Sequence, residues 1–295
     1  MSSLEPPWPA LQDIAARAVA EDLPGGDPTG AAVGPRPARA SLVAREPGTV
    51  AGLVAVPLVL DEVGRQLGTG PAATELFAAD GQQVAPGMVL GELKGPASTL
   101  LAAERTVLNI LTHLSGIATL TAAMVEEVAG TGAVIRDTRK TLPGLRAAEK
   151  YAVRCGGGRN HRMSLSDAIL VKDNHIAALG GVAEAVEAAR RELRVRPDLP
   201  LEVEVDNLDQ LDEALAAGAD LVLVDNMSLA DTAEAVRRAA RHGAEIEASG
   251  GLHLGNLKPV ASCGAHYLAV GALTHSSRAL DIGLDWQIVE LSSIA

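Results

Sequence analysis

Short apolar runs alternate with amphipathic, alanine-rich segments from about residue 130 to residue 270. The last four runs begin at residues 201, 221, 245 and 267, so they lie 20, 24 and 22 residues apart. That spacing is typical of a strand followed by a helix and predicts a parallel sheet. We predict strands at 133–135, 168–171, 201–205, 221–224, 245–248 and 267–270, and helices at 182–193, 208–217 and 229–241.

Each predicted strand ends in polar residues or glycine, as at Lys172, Asp225 and Ser249. Chemistry at the carboxyl end of nearly every strand is typical of a (β/α) barrel. An open nucleotide-binding sheet is disfavoured, because no GxGxxG follows the first strand and no GxxxxGK[ST] occurs. The pattern therefore predicts an α/β fold built around a (β/α) barrel.

The first 120 residues show a mixed pattern. We predict a helix at 11–21, a glycine- and proline-rich loop at 25–37, and short strands within 40–45, 49–60 and 83–93. A long helical pattern follows at 98–118, with Ser98 as its predicted N-cap. Apolar residues occupy most faces of this helix, so we expect it to be buried in the fold or at a subunit interface.

Composition excludes several classes of protein. The net charge of −12 disfavours a nucleic-acid or membrane-surface partner, and five aromatic residues leave few rings for base stacking. No uncharged apolar run approaches the length of a membrane span, and the N-terminus lacks the basic and apolar regions of a signal peptide. Cys155 and Cys263 form no CxxC pair and suit a reducing compartment, so we expect a cytoplasmic protein.

Charge is concentrated in residues 136–173, which we call the basic segment. It contains nine Lys or Arg and four Asp or Glu, a net charge of +5, so the rest of the chain carries −17. A solvated surface charge is the simpler interpretation of any one of these residues. The cluster as a whole predicts a site for a small, highly charged anion.

Two glycine-containing turns follow the last two predicted strands, at 249–251 and 270–274. Glycines let backbone N–H groups approach phosphate oxygens, and the phosphate site of a barrel is commonly built after its seventh and eighth strands. The two turns together predict a phosphate site.

Carboxylates lie near the ends of two consecutive strands, at Glu204 and Asp225. Mg²⁺ prefers carboxylate oxygens together with substrate phosphates, which would suit this arrangement. Glu202, Glu204 and Asp206 alternate with valines and so share one face of their strand. Ion pairs with the basic segment would explain these carboxylates equally well, and the spacing leaves both interpretations open.

Eight segments resemble, in order and spacing, the quinolinate phosphoribosyltransferase family. The most specific are DTRKT at 137–141 and GGGRNHR at 156–162. The likeness covers nearly the whole chain and departs from the family pattern at Pro24 and Ala248, neither of which removes a charged group. The other segments are EDLPGGD at 21–27, ER at 104–105, KDNH at 172–175, EVEV at 202–205, DNM at 225–227 and EASGG at 247–251.

This resemblance implies an N-terminal α/β domain, an open-faced sandwich over residues 1–112, onto which residues 280–295 pack back. It implies an incomplete (β/α) barrel over residues 113–279 as the catalytic domain. It also implies a homodimer whose active sites combine residues of both subunits, and a higher assembly stays open.

The resemblance further implies transfer of phosphoribosyl from phosphoribosyl pyrophosphate to quinolinate with decarboxylation, giving nicotinate mononucleotide, pyrophosphate and CO₂ in NAD biosynthesis. By position, quinolinate would be held by Arg105, Thr138, Arg139, His161, Arg162 and Lys172. Phosphoribosyl pyrophosphate would be held by Lys140, Asn174, Ser249, Gly250, Gly251, Val270, Gly271 and Ala272. Mg²⁺ would be bound, directly or through water, by Glu204 and Asp225, which with Lys140 and Lys172 form the implied catalytic set.

Three other functions compete with this one. A paralogue of the same fold, of the type associated with molybdenum transport, would act on a different substrate. The cluster of Arg139, His161, Arg162 and Lys172 argues against it. A phosphate-binding barrel of unrelated chemistry could use Lys172 as a Schiff-base lysine, which borohydride trapping would detect. A non-catalytic metabolite sensor is disfavoured because no appended domain is evident.

Overall fold

The structure is a computed structural model that describes residues 4–288, and the predicted packing of residues 289–295 lies outside this range. The helices are α1 (Trp8–Asp22), α2 (Pro28–Val33), α3 (Val56–Leu67), α4 (Ala97–Glu127), α5 (Arg146–Cys155), α6 (Asp173–Leu179), α7 (Val182–Leu193), α8 (Leu208–Ala216), α9 (Leu229–His242), α10 (Leu257–Ser262) and α11 (Ala272–His275). The strands are β1 (Pro37–Ala44), β2 (Gly48–Thr49), β3 (Ala73–Leu76), β4 (Gln83–Val84), β5 (Val89–Pro96), β6 (Val134–Arg136), β7 (Ile169–Val171), β8 (Leu201–Val205), β9 (Leu221–Asp225), β10 (Glu245–Ser249), β11 (Tyr267–Ala269) and β12 (Ile282–Ile288).

The chain divides into two compact units. Within the described residues, unit 1 comprises 4–122, Leu142–Gly157 and 276–288, and unit 2 comprises Ala123–Thr141 and Gly158–His275. The basic segment is therefore shared between the units, because residues 142–157 belong to unit 1 and the rest to unit 2.

Unit 1 is built on a four-stranded antiparallel sheet in the order β12-β1-β5-β3. Ala40 of β1 pairs with Leu93 of β5 on one side and with Trp286 of β12 on the other. The inner face of the sheet packs into a core of Val, Leu and Ala that includes Leu42 and Leu100, both fully buried. With so few aromatic residues, this core depends on close packing of aliphatic side chains.

The main error of the sequence prediction in this unit falls on residues 49–60, where short strands were expected. The second half of that stretch begins helix α3. Its buried residues, Val56, Val59, Leu60 and Val63, recur at helical rather than alternating spacing. The apolar spacing becomes helical only from Val56 onward. A sequence window centred on residue 55 therefore mixes the alternating period of a strand with the longer period of a helix.

The prediction that Ser98 caps the long helix is also wrong. Strand β5 runs to Pro96 and α4 begins at Ala97, so Ser98 lies inside the first turn. Its hydroxyl is buried without a hydrogen-bond partner among the described residues. Strand β5 thus leads directly into α4, and the residue that precedes the helix is Pro96, which has no side-chain oxygen to cap it.

Helix α4 is long and apolar enough, by length and composition alone, to cross a membrane. However, 56% of its most apolar window is buried inside the protein. It carries Glu104 and Arg105, and Thr112 and Asn109 add further polar groups. These features are those of a core helix in a globular protein.

Unit 2 contains a parallel sheet of six strands in the order β6-β11-β10-β9-β8-β7. The first and last residue of each strand lie within one residue of the predicted positions, and helix α7 matches its predicted range. No backbone ladder joins β6 to β7 in the described residues, so the predicted incomplete barrel is confirmed. The register pairs Ser249 with Asp225 and Ser249 with Ala269, which aligns the carboxyl ends of neighbouring strands.

Candidate active site

The carboxyl ends of the strands of unit 2 surround a cavity of about 380 Å³. Charged side chains converge on it from the ends of five strands, β6 to β10, and from the 158–162 loop. Leu170, Leu223 and Ala269 add an apolar wall from strands β7, β9 and β11. The full lining is Thr138, Arg139, Lys140, His161, Arg162, Leu170, Lys172, Glu204, Leu223, Asp225, Glu247, Ser249 and Ala269.

In the part of the chain that the structure describes, neither guanidinium group of this cavity forms a direct ion pair, although Glu202, Asp167 and Glu204 lie near enough to act on Arg162 electrostatically. The Nε atom of Arg139 is buried and has no hydrogen-bond partner among the described residues. Burial, together with the positive charge of Arg139, lowers the pKa of Arg162. Buried cations are costly without counter-charges, so these two side chains form a site for an anionic ligand.

Two half-buried carboxylates line the same cavity. Glu204 forms an ion pair with Lys172, and Asp225 Oδ2 accepts a hydrogen bond of 2.6 Å from Asn226 Nδ2. Asp206, which shares a strand face with Glu204 in the sequence pattern, lines a separate, smaller cavity instead. Glu202 and Glu204 both contact members of the basic segment, as the ion-pair interpretation expected.

The turn at 249–251 is held against the end of strand β9. Asn226 has a φ of 54°, and its backbone N–H donates to Ser249 O at 2.9 Å. Gly250 has a φ of 95°, and a Cβ there would lie 2.7 Å from Asn226 N. The turn is secured from its other side by Asn256 Nδ2, which donates to Gly251 O at 3.0 Å. Only glycine fits this approach.

The backbone around Lys140 is also constrained. The Lys140 N–H donates to Thr138 Oγ1 at 3.0 Å, and its carbonyl accepts from Thr274 Oγ1 at 2.8 Å. A Cβ on Gly271 would lie 3.0 Å from Lys140 Cδ. The glycine turn after β11 and the lysine side chain therefore pack directly against each other.

A buried carboxyl group, Glu247, lies beneath these residues. It accepts a hydrogen bond from Arg136 Nη1, and its Oε1 atom lies 3.7 Å from His161 Nε2. Burial and the neighbouring Glu202 raise the pKa of Glu247 to about 8. Arg136 opposes this rise, and Glu247 still holds its proton to a higher pH than an exposed glutamate does.

This raised pKa predicts a pH-dependent stability. The folded protein holds a proton on Glu247 between about pH 4.5 and 8 that the unfolded chain releases, so stability falls as pH rises through this window. Glu247→Gln removes that contribution. We expect the melting temperature of the variant relative to wild type to increase from pH 5 to pH 8. A constant difference would show that Glu247 is already ionised at pH 5.

Comparisons with known proteins agree with this geometry. The family models of the N-terminal and C-terminal domains of quinolinate phosphoribosyl transferase match residues 16–115 and 117–285. The chain belongs to the quinolinate phosphoribosyl transferase family. A carboxylating nicotinate-nucleotide pyrophosphorylase of Mycobacterium leprae is 50% identical over 281 residues, covering 94% of this chain and 97% of that protein. The human protein of the same name is 39% identical over 271 residues, covering 90% of this chain and 87% of that protein.

Solved structures of the family share the fold. The nicotinate-nucleotide pyrophosphorylase of Francisella tularensis aligns with a TM-score of 0.86 at 37% identity, covering 96% of this chain and 98% of that one. The nicotinate-nucleotide pyrophosphorylase of Ehrlichia chaffeensis aligns with a TM-score of 0.85 at 34% identity, covering 93% of this chain and 98% of that one. Each of these four relatives carries the name nicotinate-nucleotide pyrophosphorylase.

Most of the residues implied by the family resemblance converge on the cavity. Nine line it, and Gly250, Gly251, Val270, Gly271 and Ala272 follow directly after the strands that carry Ser249 and Ala269. Asn174 is exposed in the first turn of α6. Arg105 belongs to unit 1, where it lies exposed on α4.

Four lining residues were given no role by the sequence. Leu170, Leu223 and Ala269 look like ordinary strand residues, although each lies two residues or fewer before a polar strand end. Glu247 stands within the EASGG segment, and its alternation with Ser249 places both on one face of β10. This alternation could have identified Glu247 as a site residue, because a carboxylate on the buried face of a parallel sheet requires a partner.

Proposed function

We propose that this chain transfers phosphoribosyl from phosphoribosyl pyrophosphate to quinolinate, with loss of CO₂, and forms nicotinate mononucleotide and pyrophosphate. One observation carries the proposal: Arg139, Arg162 and Lys172 converge on a single small cavity. Membership of the family and 50% identity to a carboxylating pyrophosphorylase support the same reaction.

The cavity suits a planar aromatic dicarboxylate. The two guanidinium groups and the Lys172 ammonium would bind its carboxylates, and the unpartnered Arg139 Nε supplies one donor. The apolar wall formed by Leu170 and Leu223 would contact the ring. Nicotinate has one carboxylate fewer, so it would leave buried cations unpaired and would bind poorly.

The phosphoribosyl side of the cavity is formed by the glycine turns and the carboxylates. Ser249, Gly250 and Gly271 would hold the 5-phosphate through backbone N–H groups, with Lys140 near the pyrophosphate. Glu204 and Asp225 would hold Mg²⁺, and two carboxylates fit an ion that completes its coordination with phosphate and water. When bound, Mg²⁺ would neutralise charge on the leaving pyrophosphate.

The chain's own residues act by positioning and electrostatics. The pyridine nitrogen forms a bond to C1′, and pyrophosphate departs with the electron pair of the broken C–O bond. The positive ring nitrogen then stabilises the electron pair left at C2 when the 2-carboxylate leaves as CO₂. A proton replaces it at C2. Cationic side chains stabilise the negative charge that builds on the departing pyrophosphate, whereas the ring nitrogen itself stabilises the loss of CO₂.

A direct assay tests the proposal. Purified protein with quinolinate, phosphoribosyl pyrophosphate and Mg²⁺ should form nicotinate mononucleotide, separated and quantified by chromatography. Borohydride in the same mixture should leave Lys172 unmodified, since no Schiff base forms. Absence of product, or reductive trapping on Lys172, would reject the proposal in favour of other chemistry.

Asp225→Asn should reduce turnover by about 100-fold or more, because a metal-binding carboxylate supplies several kcal/mol of charge stabilisation. The amide keeps the shape of the side chain, and its oxygen can still accept the hydrogen bond from Asn226 Nδ2. The loss should be partly overcome by raising the Mg²⁺ concentration. Asp206→Asn is the matched control, an identical change at an exposed neighbouring strand end, and should have little effect. Equal losses in both variants would refute the role of Asp225.

The composition supports a cytoplasmic location without nucleic-acid or membrane partners. The net charge is −12, and both cysteines are free, as in a reducing compartment.

The assembly we propose is a homodimer in which Arg105 reaches the partner's quinolinate. Arg105 and Leu101 are both exposed on α4, one helical turn apart. Among the described residues no ion pair involves Arg105, and its neighbour Glu104 instead accepts a hydrogen bond from Trp286. A cation with no ion-pair partner among residues 4–288 is available to a ligand elsewhere, and a two-fold interface would make the exchange reciprocal.

Subunit complementation tests this arrangement. Arg105→Ala and Lys172→Ala should each be inactive as homodimers. After mixed refolding, half of the dimers are mixed and each has one intact site, so roughly a quarter of all sites should recover activity. Native mass spectrometry would verify that mixed dimers form. If they form and remain inactive, Arg105 does not act across the interface.

A further inference from the structure

The short helix that follows the glycine turn is not capped by its own N-cap residue. Asparagine is one of the strongest N-cap residues, and Asn256 occupies the N-cap position of α10. Its side chain nevertheless makes no capping hydrogen bond. Asn256 Nδ2 instead donates to Gly251 O at 3.0 Å, and Asn256 Oδ1 accepts from the His253 N–H at 2.9 Å. The Asn256 side chain therefore binds the turn at 249–251 and not the helix.

A glutamate from another helix caps α10 instead. Glu127 is the last residue of α4 and, like Asn256, belongs to unit 2. Its Oε2 accepts from the Gly255 N–H at 2.9 Å, and its Oε1 accepts from the N–H groups of Leu257 and Lys258 at 3.1 and 3.3 Å. The Gly255 N–H contributes most to lowering the pKa of Glu127, so the carboxylate accepts these bonds as an anion. The N–H groups that begin a helix have no partner within it, and here one carboxylate satisfies them.

Glu127 and Asn256 are competing acceptors for one hydrogen-bond donor. An N-cap side chain accepts from the second or third N–H of its helix. The third residue of α10 is Pro259, which has no N–H, so the Lys258 N–H is the capping donor that remains for Asn256. Glu127 Oε1 occupies this donor at 3.3 Å. The carboxylate therefore leaves the Asn256 side chain available to Gly251.

The contact with Asn256 matters because packing does not fix Gly251. Gly250 and Gly251 have φ values of 95° and 60°, and glycine leaves the backbone free to adopt many conformations. Asn226 closes in the Cβ position of Gly250, whereas no atom lies within 4 Å of a Cβ placed on Gly251. Because the peptide group is planar, the hydrogen bond to the Gly251 carbonyl also fixes the N–H on the other side of that peptide. The orientation of this end of the turn therefore depends on Asn256.

We propose that Asn256 and Glu127 are positioning residues for the 5-phosphate of the phosphoribosyl substrate. Asn256 holds the turn at 249–251 in one conformation, and Glu127 keeps Asn256 there by capping α10 in its place. Neither side chain lines the cavity, so both act through the turn. The proposal rests on the proposed function for the identity of the ligand, whereas the hydrogen bonds among these residues do not.

A double-mutant cycle on steady-state kinetics is the first test. Asn256→Ala and Glu127→Ala should each raise the KM for phosphoribosyl pyrophosphate about 10-fold, as expected when a hydrogen bond that orders the site is lost. The double variant should be no worse than the poorer single variant, because both substitutions remove the same contact with the turn. The values of kcat, of the KM for quinolinate and of the inhibition constant of pyrophosphate, which lacks the 5-phosphate, should stay close to those of wild type. A loss of kcat with KM unchanged, or KM increases that multiply to about 100-fold, would overturn the proposal.

Two matched variants separate positioning of the turn from a general loss of stability. Asn207 is the N-cap of α8, and its side chain does cap that helix, accepting from the Gln210 N–H at 2.9 Å. Asn207→Ala should therefore lower the melting temperature at least as much as Asn256→Ala does, yet leave the KM for phosphoribosyl pyrophosphate unchanged. Glu126→Ala alters the exposed neighbour of Glu127 and should change neither quantity. A KM raised equally by Asn207→Ala and Asn256→Ala would contradict the proposal.

A crystal structure of ligand-free Glu127→Ala tests the capping arrangement directly. The Asn256 side chain should leave Gly251 O and accept from the Lys258 N–H, because asparagine is a preferred N-cap once that donor is available. If Asn256 stays on Gly251 O while the KM of the variant is raised, Glu127 does not act through Asn256 and the proposal is overturned.

Calorimetric titration with inorganic phosphate makes the test independent of the reaction. Asn256→Ala should bind phosphate more weakly than wild type, whereas Glu126→Ala should bind it equally well. Equal binding by Asn256→Ala and wild type would overturn the role of Asn256 at the turn. If the wild-type protein forms no nicotinate mononucleotide, the proposed function fails, whereas the phosphate titration and the crystal structure still decide the roles of Asn256 and Glu127.

Discussion

Arg139→Lys should lower quinolinate affinity by about 10- to 100-fold, the range expected when a charge-assisted hydrogen bond worth ~1.5–3 kcal/mol is lost. The charge is retained, but the planar guanidinium is not, and an ammonium group cannot donate from two parallel N–H groups. The buried Arg139 Nε, which has no partner in the described residues, is the donor that the substitution removes. Calorimetric titration with quinolinate measures the loss.

The matched control is Arg159→Lys, the same change on an exposed arginine of the basic segment that does not line the cavity. It should leave quinolinate affinity within about twofold, as is usual for surface charges. Affinity of Arg139→Lys for phosphoribosyl pyrophosphate should also be close to that of wild type. Wild-type quinolinate binding by Arg139→Lys would refute the assignment of Arg139 to the ligand.

Gly250→Ala should abolish most activity, with kcat/KM reduced by about 100-fold or more, as when an oriented backbone donor site is lost. The new Cβ would overlap the Asn226 side chain and lie 2.7 Å from Asn226 N. Asn226 holds both the Asp225 carboxylate and the Ser249 carbonyl, so displacing it disturbs the metal and phosphate sides of the cavity together. Steady-state kinetics with both substrates would measure the effect.

Gly255→Ala is the control that separates the effect of this steric overlap from the conformational cost of placing alanine in a left-handed backbone conformation. Gly255 has a φ of 96°, nearly equal to that of Gly250, but no atom lies within 4 Å of a Cβ placed there. It should lose about 1–2 kcal/mol of stability for the conformation alone and retain activity. If both variants lose activity equally, the contact with Asn226 is not what the turn requires.

The barrel of unit 2 could be predicted from sequence because each βα unit repeats one local pattern with a near-constant period. The strands are buried and continuous in their hydrophobicity, and each ends at a polar residue that marks its boundary. Unit 1 offered no such repetition. The strand prediction over residues 49–60 failed because helix α3 begins within that stretch, and its apolar spacing becomes helical only beyond Val56.

The candidate site was predictable where residue type alone indicates chemistry. Arg139, Lys172 and Asp225 stand out as charged groups at the ends of strands, and the structure brings them to one cavity. The raised pKa of Glu247 could not be predicted, because it depends on which groups the sheet register places around this carboxyl group. The domain boundary near residue 112 and the sharing of sites between subunits remain predictions.

Turnover of position-labelled quinolinate tests the central claim most directly. Quinolinate carrying ¹³C in the 2-carboxylate should release all of its label as CO₂, in amounts equal to the nicotinate mononucleotide and pyrophosphate formed. Label in the 3-carboxylate should remain in the nucleotide. Nicotinate should react at less than about 1% of the quinolinate rate, because a site built for two anionic groups rejects a ligand that lacks one. Retention of the 2-carboxylate label, or equal turnover of nicotinate, would contradict the account.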